Sequence, residues 1–367
     1  MKKIPLCLSL LGLSLCLNAC SEPSRGITLP KGFSLSVYSD KVPGARQMAL
    51  GNKGTVFVGS KKAGRFYALI DSNADYKVDQ RIIIKNDLNL PTGVAFNKGD
   101  LYISGPDKIL RYKNIEEDLD RPPQASTVLN KLPEDSHHGM RTLEFGPDGF
   151  LYTQIGMPCN ICQLQNPIMG SILRVNPESG NLSIYAQGIR NSAGMAWRPG
   201  TTDLWFTDNG RDWLGDDLPA DEINFAPTEG LHFGFPFVHS QNIPEEDYYD
   251  KRLGEQTFTP PAALLQAHTA PLGLSFYSGK QFPAEYQGSL FVAQHGSWNR
   301  STKVGYRILN LRLQKNTIIS KTVFAQGWLS GAFSSGRPVD ILTLKDGSIL
   351  ISDDKAGKIY RITYKQG

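Results

Sequence analysis

The chain of 367 residues is 40% hydrophobic and 20% charged, the make-up of an ordinary globular protein with a sizeable core. Its formal net charge of +4 is small and no Lys/Arg-rich run occurs, which excludes a nucleic-acid footprint. The length admits one large domain or two, and no stretch rich in Pro, Gly or Ser reads as a linker between them.

At the start of the chain, Lys2 and Lys3 precede an apolar run from Ile4 to Leu17, shorter than the roughly 20 residues of a membrane span. The run ends in Leu17-Asn18-Ala19-Cys20, which resembles the lipobox of a bacterial lipoprotein. That resemblance implies a signal peptide over 1–19, a lipidated tether over 20–28 and a folded domain over 29–367. It also implies anchoring by lipid on Cys20, on the periplasmic side of the envelope, with Ser21 suiting outer-membrane sorting. Of five Cys, only Cys159 and Cys162 then remain for the folded domain. A C-x-x-C pair in a cytosolic protein would suggest redox or metal chemistry. In an exported chain, Cys159-Asn160-Ile161-Cys162 reads as a small disulfide, and no adjacent His or Cys completes a zinc set.

Beyond the signal, short β-rich runs alternate with Gly, Pro, Asn and Asp, and no long helical periodicity appears, so the expected class is all-β. Phe33 to Tyr38 reads as an opening strand. A Gly or Asp turn followed by an alternating strand then recurs six times, with Val56, Leu101, Leu151, Leu204, Leu290 and Ile349 at its centre. The spacings are 45, 50, 53, 86 and 59 residues. Four of them suit one four-stranded blade of a β-propeller, at roughly 40 to 50 residues plus loop insertions. The longest gap holds an insertion between the acidic loop and Gly273. The expected architecture is a six-bladed β-propeller, whose sheets bury their faces on their neighbours, with a β-sandwich as the alternative. Ile359 to Tyr364 reads as a closing strand that can pair with the opening one, and Asn114 to Gln124 as a surface loop.

The chemistry-bearing residues sit close to the repeat centres. Leu204-Trp205-Phe206 runs into Asp208-Asn209-Gly210-Arg211, followed by Asp212, Asp216, Asp217, Asp221 and Glu222. Such an oxygen-rich loop suits a hard cation such as calcium, or is a solvated acidic turn. His137 and His138 precede the third repeat; Arg190-Asn191, His295, Arg300 and Arg337 flank later ones. Equivalent positions of successive blades converge on one axial mouth, where several Arg would favour an anionic ligand. The alternative for each Arg is an ion pair between blades. No G-x-G-x-x-G follows a strand, so a nicotinamide or flavin Rossmann site is not supported.

Four motifs together carry a family resemblance: H-x-x-R-x-L-x-F-G-P-D-G-x-L-Y at His138 to Tyr152, G-I-R-N-x-x-G-M-A-W at Gly188 to Trp197, D-N-G-R-D-x-L-G-D-D-x-P-x-D-E-I-N at Asp208 to Asn224, and G-R-P-V-D at Gly336 to Asp340. They resemble the glucose/sorbosone dehydrogenase family, six-bladed propellers dependent on pyrroloquinoline quinone (PQQ). Cys159-Asn160-Ile161-Cys162 and His295-Gly296-Ser297-Trp298-Asn299-Arg300 look like its sorbosone branch. The resemblance implies oxidation of a sugar or sugar aldehyde, with PQQ and calcium as cofactors and an external electron acceptor. It implies that His138 is the catalytic base and that Arg190, Asn191, Asn209, His295, Arg300 and Arg337 contact the cofactor. Gly210 and Arg211 would offer carbonyls to the catalytic calcium, and Asp221 and Glu222 would hold a calcium outside the pocket. Met157 stands where the glucose enzymes carry an Asp beside the catalytic His, and His295 about where they use a Lys. A non-catalytic binding platform and a calcium-dependent lactonase remain as alternatives, the latter disfavoured by the Arg set.

Overall fold

Each of the six strand signatures forms the second of four antiparallel strands in a sheet, and the six sheets are the blades of a propeller. The structure, a computed structural model, describes residues 26–365 except Ser136, Gln241, Leu253 and Glu255, so the lipobox and its Cys20 lie outside the described residues. Blade one comprises Ala45–Leu50, Val56–Ser60, Phe66–Ile70 and Gln80–Lys85; blade two Gly93–Asn97, Asp100–Ser104, Ile109–Tyr112 and Ser126–Leu129. Blade three comprises Glu144–Phe145, Leu151–Ile155, Ser171–Val175 and Leu182–Gln187; blade four Met195–Trp197, Leu204–Asp208, Asp221–Ala226 and Ala263–Leu265. Blade five comprises Pro271–Phe276, Leu290–Gln294, Arg307–Gln314 and Thr317–Gln326. Blade six takes Pro338–Thr343, Ile349–Asp353 and Lys358–Tyr364, and its outer strand, Phe33–Ser39, comes from the start of the domain.

The expected closure of the ring is therefore present: Phe33 pairs with Tyr364 and Val37 with Tyr360 in an antiparallel ladder. Phe33 seals it by packing edge-on against Phe282 and Phe324, with ring centroids 4.8 and 4.9 Å away. Thr28, on the expected tether, already bridges Gln326 of blade five. Second strands are buried along their whole length, which explains why they carry the strongest apolar signature. Apolar clusters lie between consecutive blades, as between blades five and six (Phe291, Ile308, Trp328, Ile351) and six and one (Val56, Tyr67, Leu350, Ile359). No blade could bury those faces alone.

The insertion in blade four falls between its third and outer strands. Leu231–His232 pairs in parallel with Leu182–Gln187 to give blade three a fifth strand, and Val238–His239 pairs with Ile243–Pro244. Glu245 ties the insertion back to the acidic loop, accepting from Arg211 at 2.6 Å and facing His239 Nε2 at 2.5 Å. The expected surface loop 114–124 contains a 3-10 turn, Ile115–Glu117, whose Ile115 is buried. Among the described residues no helix is long and apolar enough to cross a membrane.

Antiparallel pairing decides where a site can form. The start of an innermost strand and the end of the second strand lie at the same end of a blade. Residues just before the first strand and just after the second therefore gather from all blades around one mouth. The innermost strands of blades one, five and six are also irregular near their starts, at Ala45/Met48, Pro271/Leu274 and Pro338/Ile341. Bulges of this kind re-aim side chains beside functional sites.

Candidate active site

At that mouth lies a cavity of about 280 Å³, lined by His138, Arg190, Asn191, Asn209, Gly210, Asp212, Asp221, His295 and Arg337 among the residues singled out in the sequence. Arg46, Lys61, His268 and Trp298 line it as well and were not singled out for it. Arg46 stands at the start of an innermost strand, and Lys61 and His295 each directly follow a second strand. The repeat positions that delivered His295 could thus have delivered Lys61 and Arg46.

His138 is part-buried beside Arg190, in a left-handed backbone conformation at φ 52°. Its Nδ1 lies 2.7 Å from the Met157 carbonyl. A carbonyl only accepts, so Nδ1 carries the proton and Nε2 keeps the lone pair. Burial, and then the charges of Arg190 and His137, push the imidazole pKa down to about 3. The ring is therefore neutral at ordinary pH. The departure at Met157 thus leaves the tautomer fixed, because a main-chain oxygen does the fixing. What a carboxylate would add, a rise in the basicity of the ring, is missing.

The opposite wall is cationic. Arg46 pairs with Asp354 at 3.1 Å, and His295 Nε2 donates to the same carboxylate at 2.8 Å. Burial, with Arg337 and Arg46 nearby, pushes the His295 pKa down to about 4 despite Asp354, so His295 is neutral and Asp354 ionised. Arg337 spends its donors on main-chain oxygens, the His295 carbonyl at 3.0 Å and the Gly296 carbonyl, and no carboxylate neutralises it among the described residues. Lys61 has no acidic partner there either, and burial beside Arg46 lowers its pKa. Arg190 is held tightly, by the Asn160 carbonyl at 2.9 Å, the Asn209 carbonyl at 3.1 Å and Asp212 at 3.4 Å. Arg46, Lys61, Arg190 and Arg337 outnumber Asp354, Asp212 and Asp221, so the mouth carries a small surplus of positive charge that suits an anionic ligand.

The acidic loop divides into two parts. Asp221 is saturated by the Gly210 amide (2.9 Å), the Thr269 hydroxyl and the Ala270 amide (both 3.0 Å), so it shapes the loop. Asp208 accepts the amides of Arg190 and Asn191, at 2.9 and 2.6 Å. Glu222 and Arg211 lie away from the main cavity, around a second space of about 20 Å³ that Asp208, Gly210 and Ser240 also line. Burial is the first cause that raises Asp208, Asp221 (to about 6) and Glu222, and none of the three has an ion-pair partner among the described residues. The carbonyls of Gly210 and Arg211 accept no hydrogen bond from the described residues. Hard oxygen donors and uncompensated buried carboxylates fit a calcium ion. Among the described residues, though, no three His, Cys, Asp or Glu side chains form a metal-holding group.

Arg300 does not reach the cavity lining. Its guanidinium takes Asp217 at 2.9 Å and the Asp216 carbonyl, joining the 296–301 loop to the acidic loop. This departs from the expected cofactor contact: the neighbouring carboxylates were visible in the sequence, but their proximity to Arg300 was not. Cys159 and Cys162 are brought into bonding contact with Cα atoms 6.2 Å apart, in the loop whose Asn160 clamps Arg190.

The family model described as Glucose / Sorbosone dehydrogenase matches residues 107–361. A Borreliella burgdorferi protein, named only "Uncharacterized protein", is 34% identical over 362 residues, 95% of this chain and 93% of the relative. Aldose sugar dehydrogenase YliI of Escherichia coli is 29% identical over 205 residues, 49% of this chain and 52% of the relative. The holo form of the pyranose dehydrogenase PQQ domain from Coprinopsis cinerea superposes with a TM-score of 0.77 at 17% identity, covering 92% of this chain and 97% of that one. At that identity the likeness is one of fold.

Proposed function

The chain belongs to the glucose/sorbosone dehydrogenase family, and from that membership we propose that it oxidises a sugar or sugar aldehyde using PQQ and calcium and passes the electrons to an external acceptor. The observation that carries the reading is the pairing of a neutral His138, protonated on Nδ1 by its contact with Met157, with a cationic wall across one cavity. When bound, PQQ supplies a two-electron quinone acceptor and calcium a Lewis acid beside it. Arg337, Lys61 and Arg46 would receive the carboxylates of that cofactor, and Asn160 and Asn209 hold Arg190 in place. The Gly210 and Arg211 carbonyls would hold the catalytic calcium, while Glu222, with Asp208 in place of the saturated Asp221, would suit a second, structural ion. His138 Nε2 takes the substrate hydroxyl proton, help worth roughly a hundred- to ten-thousand-fold in rate.

Titration of cofactor-free protein with PQQ and calcium, then dye reduction over a panel of aldoses and aldehydes, tests the reading. No PQQ binding and no reduction would overturn it in favour of a non-catalytic binding platform. We also propose that lipid on Cys20 holds the protein at the periplasmic side of the envelope. Cys20→Ser should release it from the membrane fraction, and a variant that still partitions there would refute this anchor.

A further inference from the structure

Two large aromatic side chains lie exposed at the rim of the cavity. Trp213 is 66% and Trp298 65% exposed, whereas Trp205 and Trp328 are buried. Their rings meet edge to face, with centroids 5.5 Å apart and planes at 85°. Trp298 lines the cavity, and Trp213 stands outside it on the acidic loop. Exposed apolar surface this concentrated beside a cavity marks a contact surface for a ligand or partner.

The two loops are braced from several sides. Arg300 spans them through Asp217, the Ser301 amide donates to Asp216 at 2.9 Å, and His268 Nε2 lies 2.8 Å from the Gly215 carbonyl. The Asp212 amide donates to Asn160 Oδ1 at 2.8 Å. Trp213 itself is left-handed, at φ 71°, a conformation that an aromatic residue keeps only where its surroundings impose it. The indoles are thus presented on fixed backbone.

The cavity beneath is near the lower end of the roughly 300–1,000 Å³ of small-molecule sites, so one small ligand fills it. A reacting sugar has to lie above that ligand, at the rim. A pyranose offers a face of C–H groups framed by hydroxyls, and its complement is a rigid aromatic face framed by polar groups. Trp298 supplies the first such face and Trp213, one step further out, a second. Asp216, Asp217 and Asn299, on the same two loops, offer polar groups beside them. At 85° the two planes cannot both lie flat on one ring.

We infer that Trp298 and Trp213 are successive sugar-ring subsites, and that the preferred substrate is the reducing end of a di- or oligosaccharide rather than a free monosaccharide. The inference rests on the sugar dehydrogenase reading. The reducing end enters the mouth against Trp298, the next ring leaves against Trp213, and Arg300 is a positioning residue that holds the two loops together.

The test uses sugar pairs that share a reducing-end unit: glucose with maltose and cellobiose, xylose with xylobiose, and mannose with mannobiose. In the PQQ- and calcium-loaded protein, Trp213→Ala should raise the ratio of disaccharide to monosaccharide KM by about 3- to 10-fold, the scale of one aromatic contact. Trp298→Ala should raise both KM values. Trp213→Phe should restore most of the ratio, and Arg300→Gln should reproduce part of the Trp213→Ala effect. Ile319→Ala, an exposed apolar residue on the outermost strand of blade five, is the control. Independently of turnover, disaccharide should quench tryptophan fluorescence of the cofactor-free protein, and less so in Trp213→Ala. A folded Trp213→Ala protein with the wild-type KM ratio and wild-type quenching would overturn the inference. So would a change confined to the KM of the electron acceptor, which would make the pair an acceptor-docking face. Failure of the wild type to bind PQQ or reduce dye would instead strike the parent reading, and the fluorescence titration would still decide the subsites.

Discussion

Gly156 directly follows the second strand of blade three and lies under His138. A Cβ at this position would stand 2.6 Å from the His138 Cβ and 2.9 Å from its carbonyl oxygen. Ordinary contact begins at 3.4 Å, so Gly156→Ala is short of room by about 0.8 Å. Both obstacles are close to the main chain, so no flexible tip can swing away, and His138 itself has to move. Its 2.7 Å contact with Met157, the next residue after Gly156, is the first casualty. Overpacking of this kind costs about 1–3 kcal/mol of stability. Misplacing a reacting group by about 1 Å costs about a hundredfold in rate. In PQQ- and calcium-loaded protein we expect kcat for dye reduction to fall by about that factor while PQQ still binds, with a lower melting temperature. In ¹⁵N spectra the Nδ1-protonated tautomer of His138 should lose its dominance. A variant with wild-type turnover, melting and tautomer would refute the claim that Gly156 sets the position of this ring.

His138→Gln should leave PQQ and calcium binding nearly intact and lower turnover by roughly a hundredfold or more, whereas Arg337→Ala should weaken PQQ binding first. Full turnover in His138→Gln would move the base elsewhere, with His137 as first candidate. The native His138 pKa of about 3 lies below the ordinary imidazole value, so between pH 6.5 and 3 the unfolded chain binds a proton that the native one does not, and stability falls as pH falls through that window. Melting curves should therefore show a shallower acid limb for His138→Gln than for wild type; equal slopes would contradict the burial argument. Cys159 and Cys162 should be disulfide-bonded in protein isolated without reductant, and two free thiols in non-reduced peptide mass spectrometry would rule this out.

The six-bladed ring was legible in the chain because burial on both faces forces the same apolar run into every second strand, from Val56–Ser60 to Ile349–Asp353. The pairing of the first and last strands was legible because Phe33 to Tyr38 and Ile359 to Tyr364 stand at opposite ends of the domain, where a ring of blades closes. His138, Arg190 and Arg337 could be named because their motifs are long and local. Lys61 and Arg46 carry no local motif. They reach the cavity only because antiparallel pairing puts the end of each second strand beside the start of each first one, and Arg46 is paired there by Asp354, some three hundred residues away. Separation along the chain also hid the role of Arg300, whose partner Asp217 is 83 residues from it in sequence. Met157 shows the converse limit, because a side chain that departs from the Asp of the glucose enzymes hides a carbonyl that performs the positioning. Sequence alone determined the repeat, the ring and the residue types available for chemistry, since these follow from periodicity and burial. Which charges are left unpaired, which carbonyls are free and which indoles share a rim were decided by tertiary structure, since each is a property of through-space neighbours that no spacing along the chain encodes.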